Sequence, residues 1–408
     1  MRVWLITEAY YPDEAGTAYT FTALAEYLAK YYEVNVLCGF PRYSARGLSL
    51  PKKENRNGVN IIRCMGTTFN KDILFLRFVN LLTISMSIFF NSILKFRRDD
   101  IALVVTSPPS LPFTMALVCF IRKVKCILRV DDAFPENLDA TNLIKKGSVV
   151  FDILAKLTKI LYNNVAKIVV LGRDQKALVA SYLKSSNTKK IDIITNWADI
   201  EDIRPSAKIN NALLRDLNLK EKFIVQIAGN MGQGQAIESV FKCAAILKCN
   251  SNIHFLCIGS GSKIKWMQNE ILDKKLDNIT LLEQRPRTDQ NNFLNACDIS
   301  IITLLSTMTG IGVPSRIYNV MAAGKPIIGV VPSDSELAMI LGEEKVGWVV
   351  SPDEPETLSK TILEAYLNPD LLKQMGYNSR KVAESKYSSA HVLNKYRELI
   401  GPCRVIAD

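Results

Sequence analysis

The chain has 408 residues, of which 48% are hydrophobic and 22% charged, and a formal net charge of +11. That length exceeds one ordinary core and suits two domains, and the composition excludes a collagen-like, low-complexity or disordered protein. Two histidines, and nine cysteines without a Cys-x-x-Cys pair, leave little material for a zinc site, a disulfide frame or a histidine-based triad.

Charge is unevenly placed. Residues 1–200 hold 27 Lys and Arg against 17 Asp and Glu, whereas the remainder holds 24 against 23. A basic first half attracts polyanions such as anionic lipid headgroups or phosphorylated substrates, or it simply solvates the chain. Nucleic acid is not expected as a partner, because the basic residues are scattered and not interleaved with aromatics on one face. Cys38, Cys126 and Cys257 fall within apolar strand patterns and read as reduced core residues of a cytosolic protein. The opening MRVWLIT runs straight into a strand, with no secretory signal.

In chain order, strands are expected at RVWLIT, VNVLC, VNIIRC, IALVVT, CILRV, KIVVL and IDIIT, then at FIVQIA, IHFLCIG, ITLLE, ISIITL, PIIGVV and GWVV. Amphipathic stretches of ten to twenty residues separate them, the signature of parallel sheets covered by helices. Residues 73–98, ILFLRFVNLLTISMSIFFNSILKFRR, are long enough to span a bilayer, but Arg77, Asn80 and Asn91 interrupt them. A core helix, or an interfacial one resting its apolar side and basic end on an anionic membrane, fits better. Periodicity fails at 196–208, around Pro205, which marks a hinge. The expected fold class is α/β, with two Rossmann-like domains facing across a cleft. The first spans 1–198 and the second 199–408, and the final helices can pack on either.

Open α/β sheets bind ligands beyond the carboxyl ends of their strands, so the loops after the strands are where chemistry is expected. After strand one, Gly16 can adopt unusual backbone angles and Thr17 can cap a helix starting near Ala18. After CILRV, the run DDAFPENL places Asp131, Asp132 and Glu136 together, with Pro135 fixing the turn, which suits binding of sugar hydroxyls or acid-base work. After FIVQIA, Gly229, Gly232 and Gly234 let backbone approach a ligand ahead of a helix near Ala236. Their spacing fits neither a dinucleotide fingerprint nor a Walker loop. A second glycine-rich turn, SGSK, brings Lys263 and Lys265 nearby, and His254 before it reads as a packed core residue. In GVPSRIYNVMAAGKPIIGVV, Gly312 permits close approach, and Pro314 and Ser315 suit the start of a short helix with Arg316 in its first turn. A basic first turn opposes the helix dipole unless an anion offsets it, so this turn reads as an anion site. Ala322, Ala323 and Gly324 then stop the helix.

Taken together, YYPDEAGT, TSPPSLP, DDAFPENL, AGNMGQGQAIESV, IGSGSKI, ACDISIITL and VPSRIYNVMAAGKPII resemble retaining nucleotide-sugar glycosyltransferases of family 4. These have the GT-B fold, and the likeness is greatest to the bacterial branch that builds O-antigen and capsule, WbuB-like fucosaminyltransferases among them. The resemblance extends over nearly the whole chain. It implies that the second domain holds the nucleotide diphosphate, with Gly229, Asn230, Gly232 and Gln233 along the donor and Arg285 near the base. Ser315 and Arg316 would lie by the phosphates and Asn319 near the ribose. In the first domain, Gly16 and Thr17 would border the sugar and acceptor, and Asp132 and Glu136 would face the reacting centre as the catalytic residues. Two departures stand out. Ile311 and Asn319 occupy the places of the glutamate pair common in the family, and Asn230 and Gln233 stand in the loop that usually offers an Arg and a Lys. The phosphate charge then falls to Arg316, Lys325, Arg285, Arg287 or helix N-termini.

No Asp-x-Asp occurs, so neither a metal nor another cofactor is expected. The expected function is transfer of a sugar from a nucleotide-sugar, UDP-linked by expectation, to an undecaprenyl diphosphate-linked saccharide in O-antigen or capsule synthesis. The enzyme would be cytoplasmic and peripheral on the inner face of the plasma membrane. A UDP-sugar epimerase of the same fold and a non-catalytic nucleotide-sugar-binding protein are the alternatives.

Overall fold

The computed structural model describes residues 1–14, 16–41, 47–69 and 73–402. The side chains of Leu74 and Arg77 also lie outside the described residues, as does Ala15 of the YYPDEAGT run. The chain forms two compact units, one of Met1–Thr195 joined by the segment from Leu393 onward, the other of Asn196–Val392.

The first unit is built on eight strands: β1 (Arg2–Ile6), β2 (Glu33–Gly39), β3 (Lys53–Arg56), β4 (Val59–Cys64), β5 (Ile101–Val105), β6 (Lys125–Arg129), β7 (Lys167–Val170) and β8 (Ile191–Ile193). They lie in the order β3-β4-β2-β1-β5-β6-β7-β8. All neighbours run parallel except β3, an antiparallel edge strand of alternately exposed residues. Strand β5, Ile-Ala-Leu-Val-Val, is buried along its whole length, as a strand covered on both faces must be.

Among the described residues up to Thr195 the helices are α1 (Gly16–Leu28), α2 (Leu74–Lys95), α3 (Leu111–Arg122), α4 (Glu136–Ala140), α5 (Val149–Asn164) and α6 (Arg173–Ser181). In α1 the buried residues are Ala18, Phe21, Leu24, Ala25 and Leu28, three or four apart on one stripe. Helix α2 is long and apolar enough to cross a membrane by length and composition. It packs Ile84 and Ile88, both fully buried, against the core shared by β1, β2 and β5. Asn80, expected as an interruption, is buried in a bidentate bond to the Phe69 backbone, at 3.0 and 2.9 Å.

The second unit has six parallel strands: β9 (Phe223–Asn230), β10 (Ile253–Ser260), β11 (Ile279–Leu282), β12 (Ile299–Thr303), β13 (Ile327–Val330) and β14 (Gly347–Val350). Their order is β11-β10-β9-β12-β13-β14. The helices are α7 (Ala212–Asp216), α8 (Ile237–Ile246), α9 (Ile264–Asp273), α10 (Gln290–Leu294), α11 (Arg316–Ala322), α12 (Glu336–Glu344), α13 (Pro355–Leu367) and α14 (Pro369–Lys386). A last helix, α15 (Ser389–Ile400), carries the chain into the first unit. The segment after Asn196 is tied to the second unit by Arg380 of α14, which donates to Ile203 O at 2.7 Å, Ala322 O at 2.8 Å and Ile200 O at 3.1 Å.

Among the parallel strands of each sheet the order reverses once, between β1 and β5 and between β9 and β12. At such a switch point the loops leaving adjacent strands part to opposite faces and open a crevice at the carboxyl edge. All described cysteines except Cys249 are buried. Burial pushes the Cys257 thiol up to about 12.

Candidate active site

The second unit's switch point gathers most of the residues expected to hold the donor. Strands β9 and β10 run in register to their ends, pairing Gly229 with Gly259 and Asn230 with Ser260. The backbones approach so closely that a Cβ on Gly259 would meet Gly229 O at 1.9 Å. Gly229 itself has φ +128, where a side chain is strained, and a Cβ there would stand 3.4 Å from Arg316 Nη1. Beyond them, Met231 N donates to Ser260 O at 2.8 Å and Lys263 N to Met231 O at 3.0 Å, which fuses the two glycine-rich turns into one ledge. Asn230 and Gln233 are exposed on it, and Gln233 reaches Ser262 Oγ at 3.3 Å. Gly232 sits under the Asn230 amide, 3.1 Å from where its own Cβ would be.

Across the switch, Leu305 N donates to Gly234 O at 3.0 Å and Thr303 Oγ1 donates to Gln235 Oε1 at 3.0 Å. Arg316 opens α11 and folds back over the ledge, donating to Ala228 O at 3.2 Å and to Gln235 Oε1. Both partners are uncharged, and among the described residues no carboxylate pairs with this guanidinium. Loss of hydration pushes it down to about 10, so it still carries its charge at neutral pH. Gln235 is the hub of the arrangement, since its backbone carbonyl accepts from Lys263 Nζ at 2.7 Å. Lys263 is buried and neutralised by Glu238 at 2.7 Å.

The expected helix start differs in detail. Ser315 already has helical angles, φ −62 and ψ −20, and its side chain makes no capping bond. It is exposed just ahead of α11, in which Ile317 to Ala322 are buried. The Ile317 and Tyr318 amides close onto Pro314 O and Ser315 O, both at 3.3 Å. The left-handed glycine of the preceding loop is Gly310, at φ +73.

Three other cations are placed elsewhere. Lys325 is a correction to the expected set: it precedes β13, at the opposite edge of a parallel sheet, and donates to Asn295 O at 3.3 Å. Arg287 pairs with Asp199, and the Asn319 amide holds the same residue through Asp199 N at 3.0 Å and Asp199 Oδ2 at 3.4 Å. Asn319 is thereby committed to the segment that enters the unit. Arg285 follows β11 on the carboxyl edge, where it pairs with Asp289. His254 lies at the start of β10, bonded to Thr280 Oγ1 at 2.8 Å, and burial followed by the Lys222 charge pushes its pKa down.

In the first unit a smaller cluster forms at the other switch point. Helix α1 begins at Gly16, so Thr17 lies inside the first turn and does not cap a later start; its hydroxyl donates to Asp131 Oδ2 at 3.3 Å. Around Gly16 nothing stands within 4 Å of a Cβ position, and its φ is not positive, so the fold itself does not demand a glycine there. Asp131 is bound to the buried Arg129 at 2.7 Å. The Asp131 and Asp132 amides both donate to Thr106 Oγ1, at 3.1 and 3.3 Å, which hangs the acidic turn on the end of β5. Glu136 opens α4 after the cis Phe134–Pro135 peptide and accepts from Tyr182, and its other oxygen is buried without a bond.

Asp132 is the one acid of the three with no side-chain bond among the described residues. The residue is exposed, with its carboxyl beside that of Asp131. Loss of hydration, then the Asp131 charge, raise it to about 6. Such a group changes charge near neutral pH, as acid-base or charge-stabilising chemistry requires. Gln235, Tyr182 and Asp199 were not singled out by sequence, for their roles depend on contacts 81, 46 and 120 residues away.

The model of the family "Glycosyl transferases group 1" matches residues 211–382. The "Probable glycosyltransferase WbjE" of Pseudomonas aeruginosa is 30% identical over 306 residues, 75% of this chain and 75% of that protein. Sucrose-phosphate synthase of Thermosynechococcus elongatus superposes with a TM-score of 0.76 over 98% of each chain, at 15% identity. Anabaena HepE, solved in complex with UDP and glucose, gives a TM-score of 0.74 at 12% identity, covering 98% of this chain and 99% of that one. At these identities the two solved structures speak for the fold.

Proposed function

The chain belongs to the group 1 glycosyl transferases, with the GT-B fold, and from that premise we propose that it moves a sugar from a UDP-linked donor to an undecaprenyl diphosphate-linked saccharide. The product would serve a bacterial surface polysaccharide, O-antigen or capsule, in the manner of the WbuB-like branch of family 4. The transfer would retain anomeric configuration, need no metal, and take place on the cytoplasmic face of the inner membrane with the enzyme peripherally attached.

One observation carries the donor reading. Arg316 holds a positive charge, partly out of water, among uncharged partners at the crevice of the second sheet. A diphosphate there would supply the missing counter-charge through charge-assisted bonds worth about 1.5 to 3 kcal/mol each. As the sugar departs, negative charge grows on the diphosphate, and a guanidinium already fixed by Gln235 and Ala228 stabilises it without reorganising. The exposed Ser315 and the Asn230 and Gln233 side chains suit the donor's remaining oxygens. Asp132, and Glu136 as positioned by Tyr182, suit the sugar and acceptor side. The UDP in the HepE complex supports the choice of nucleotide.

The outward side of α2 supports the lipid part. Phe78, Leu82, Met86, Phe90 and Leu94 recur every four residues and are all exposed, opposite the side that packs Ile84 and Ile88. The test is incubation with a panel of UDP-sugars, with and without undecaprenyl diphosphate-linked acceptor, reading UDP release and glycolipid. Acceptor-dependent release with one donor is expected. An epimerised sugar formed without acceptor, or no turnover with any donor, would overturn the reading.

A further inference from the structure

A second polar feature of the first unit lies at the amino edge of its sheet, away from the turn that carries Asp131 and Asp132. A cavity of about 370 Å³ opens where α2 ends, with Arg2, Leu94, Lys95, Arg97 and Arg122 in its lining. Its shape is fixed by bonds beneath it. Arg2 pairs with the buried Asp100 at 2.7 Å, and Trp4 Nε1 donates to the same carboxylate at 3.0 Å. Arg122, the last residue of α3, donates through Nε and Nη2 to Phe96 O at 3.0 and 2.6 Å.

Asp100 is answered by Arg2, so Lys95, Arg97 and Arg122 face the cavity without an acid partner among the described residues. Glu33 reaches the lining only through Asn35, at 3.5 Å. Leu94 belongs both to this lining and to the outward stripe of α2. Helix α3, packed beside α2, exposes Leu117, Phe120 and Ile121 just before Arg122. A cationic cavity that opens at the end of two exposed apolar helix faces has the chemistry of a phospholipid: an anionic head with apolar tails beside it.

We propose that this cavity seats the phosphate headgroup of an anionic membrane lipid, with the outward faces of α2 and α3 among its acyl chains. The inference rests on the membrane attachment proposed for this chain and adds a defined headgroup site, separate from donor and acceptor. The full-length protein is tested by co-sedimentation with vesicles of phosphatidylcholine alone or mixed with phosphatidylglycerol. Wild type is expected to prefer the mixed vesicles. Lys95→Glu with Arg97→Glu should bind them at least about tenfold more weakly, and the milder Arg97→Gln about fivefold. Lys184→Glu with Lys189→Glu, the same change of charge elsewhere on the unit, should lose no more than about threefold, as distant exposed charges are screened.

Equal losses from both double variants would overturn the headgroup site and leave the membrane reading intact. Wild type that binds neither vesicle, or Phe78→Ser with Phe90→Ser that binds as wild type does, would overturn both. If free glycerol phosphate raised the melting temperature of wild type but not of the Lys95 and Arg97 variant, while vesicles failed to bind, the cavity would be a soluble-anion site and the lipid assignment would fall.

Discussion

A guanidinium held partly out of water, with no carboxylate beside it, raises the free energy of the folded chain until an anion arrives. Arg316 stands in that position, and its presence in the first turn of a helix was legible from sequence because the residue opposes the helix dipole. Gln235, which fixes it, was not, since a glutamine after two glycines carries no periodic or charge signal. Gly16 allows a test at this scale. Nothing in the fold fills the space at its Cβ, so Gly16→Ala should leave the melting temperature unchanged or raise it, by up to about 1 kcal/mol of stability, while lowering turnover. A melting temperature that falls would make this glycine structural. Asp132 gives a second test, through pH. Its folded pKa of about 6 lies above the ordinary 3.8, so the folded chain holds its proton more tightly than the unfolded one. Stability from this group is therefore present at low pH and lost as pH rises through about 6. Asp132→Asn should raise the melting temperature at pH 8, with the gain fading toward pH 4, and a gain independent of pH would contradict the assignment.

Among the elements, strands buried on both faces could be read directly, because apolar runs such as IALVV leave few alternatives. Strand β3 could not. Lys-Glu-Asn-Arg is an edge strand whose pairing with β4 gives it order, and its sequence looks like a loop. Helix α2 was legible as apolar, but which of its sides is packed was not, since both carry large hydrophobic residues. The faces differ in their cost of substitution. Ile88 is fully buried, so Ile88→Ala should destabilise by about 2 to 5 kcal/mol, whereas exposed Phe90→Ser should change stability by about 0.5 kcal/mol or less. Chemical denaturation of the two variants checks this, and similar costs would mean that the outward stripe is packed in the folded protein.

For the molecule as a whole, alternation of apolar strands and amphipathic helices made the α/β class visible, and the same pattern repeated made two sheets visible. What the sequence could not show is where the chain passes between units, because α15 is amphipathic in a way that fits many neighbours; that assignment is set by contacts of residues from Leu393 onward. Nor could it show that Lys325 stands at the wrong edge of its sheet, which depends on the direction of β13 and not on distance along the chain. Membership of the group 1 glycosyl transferases fits a molecule in which the parallel strands of each sheet reverse order once and carry a polar cluster at that reversal. The central claim is that the uncompensated Arg316 charge receives a diphosphate. Calorimetric titration of wild type and Arg316→Ala with UDP and with uridine tests it most directly. The account predicts that the variant loses about 1.5 to 3 kcal/mol for UDP, roughly ten- to 150-fold in Kd, with uridine affinity unchanged. Equal UDP affinity in the two proteins, or an equal loss for uridine, would contradict it.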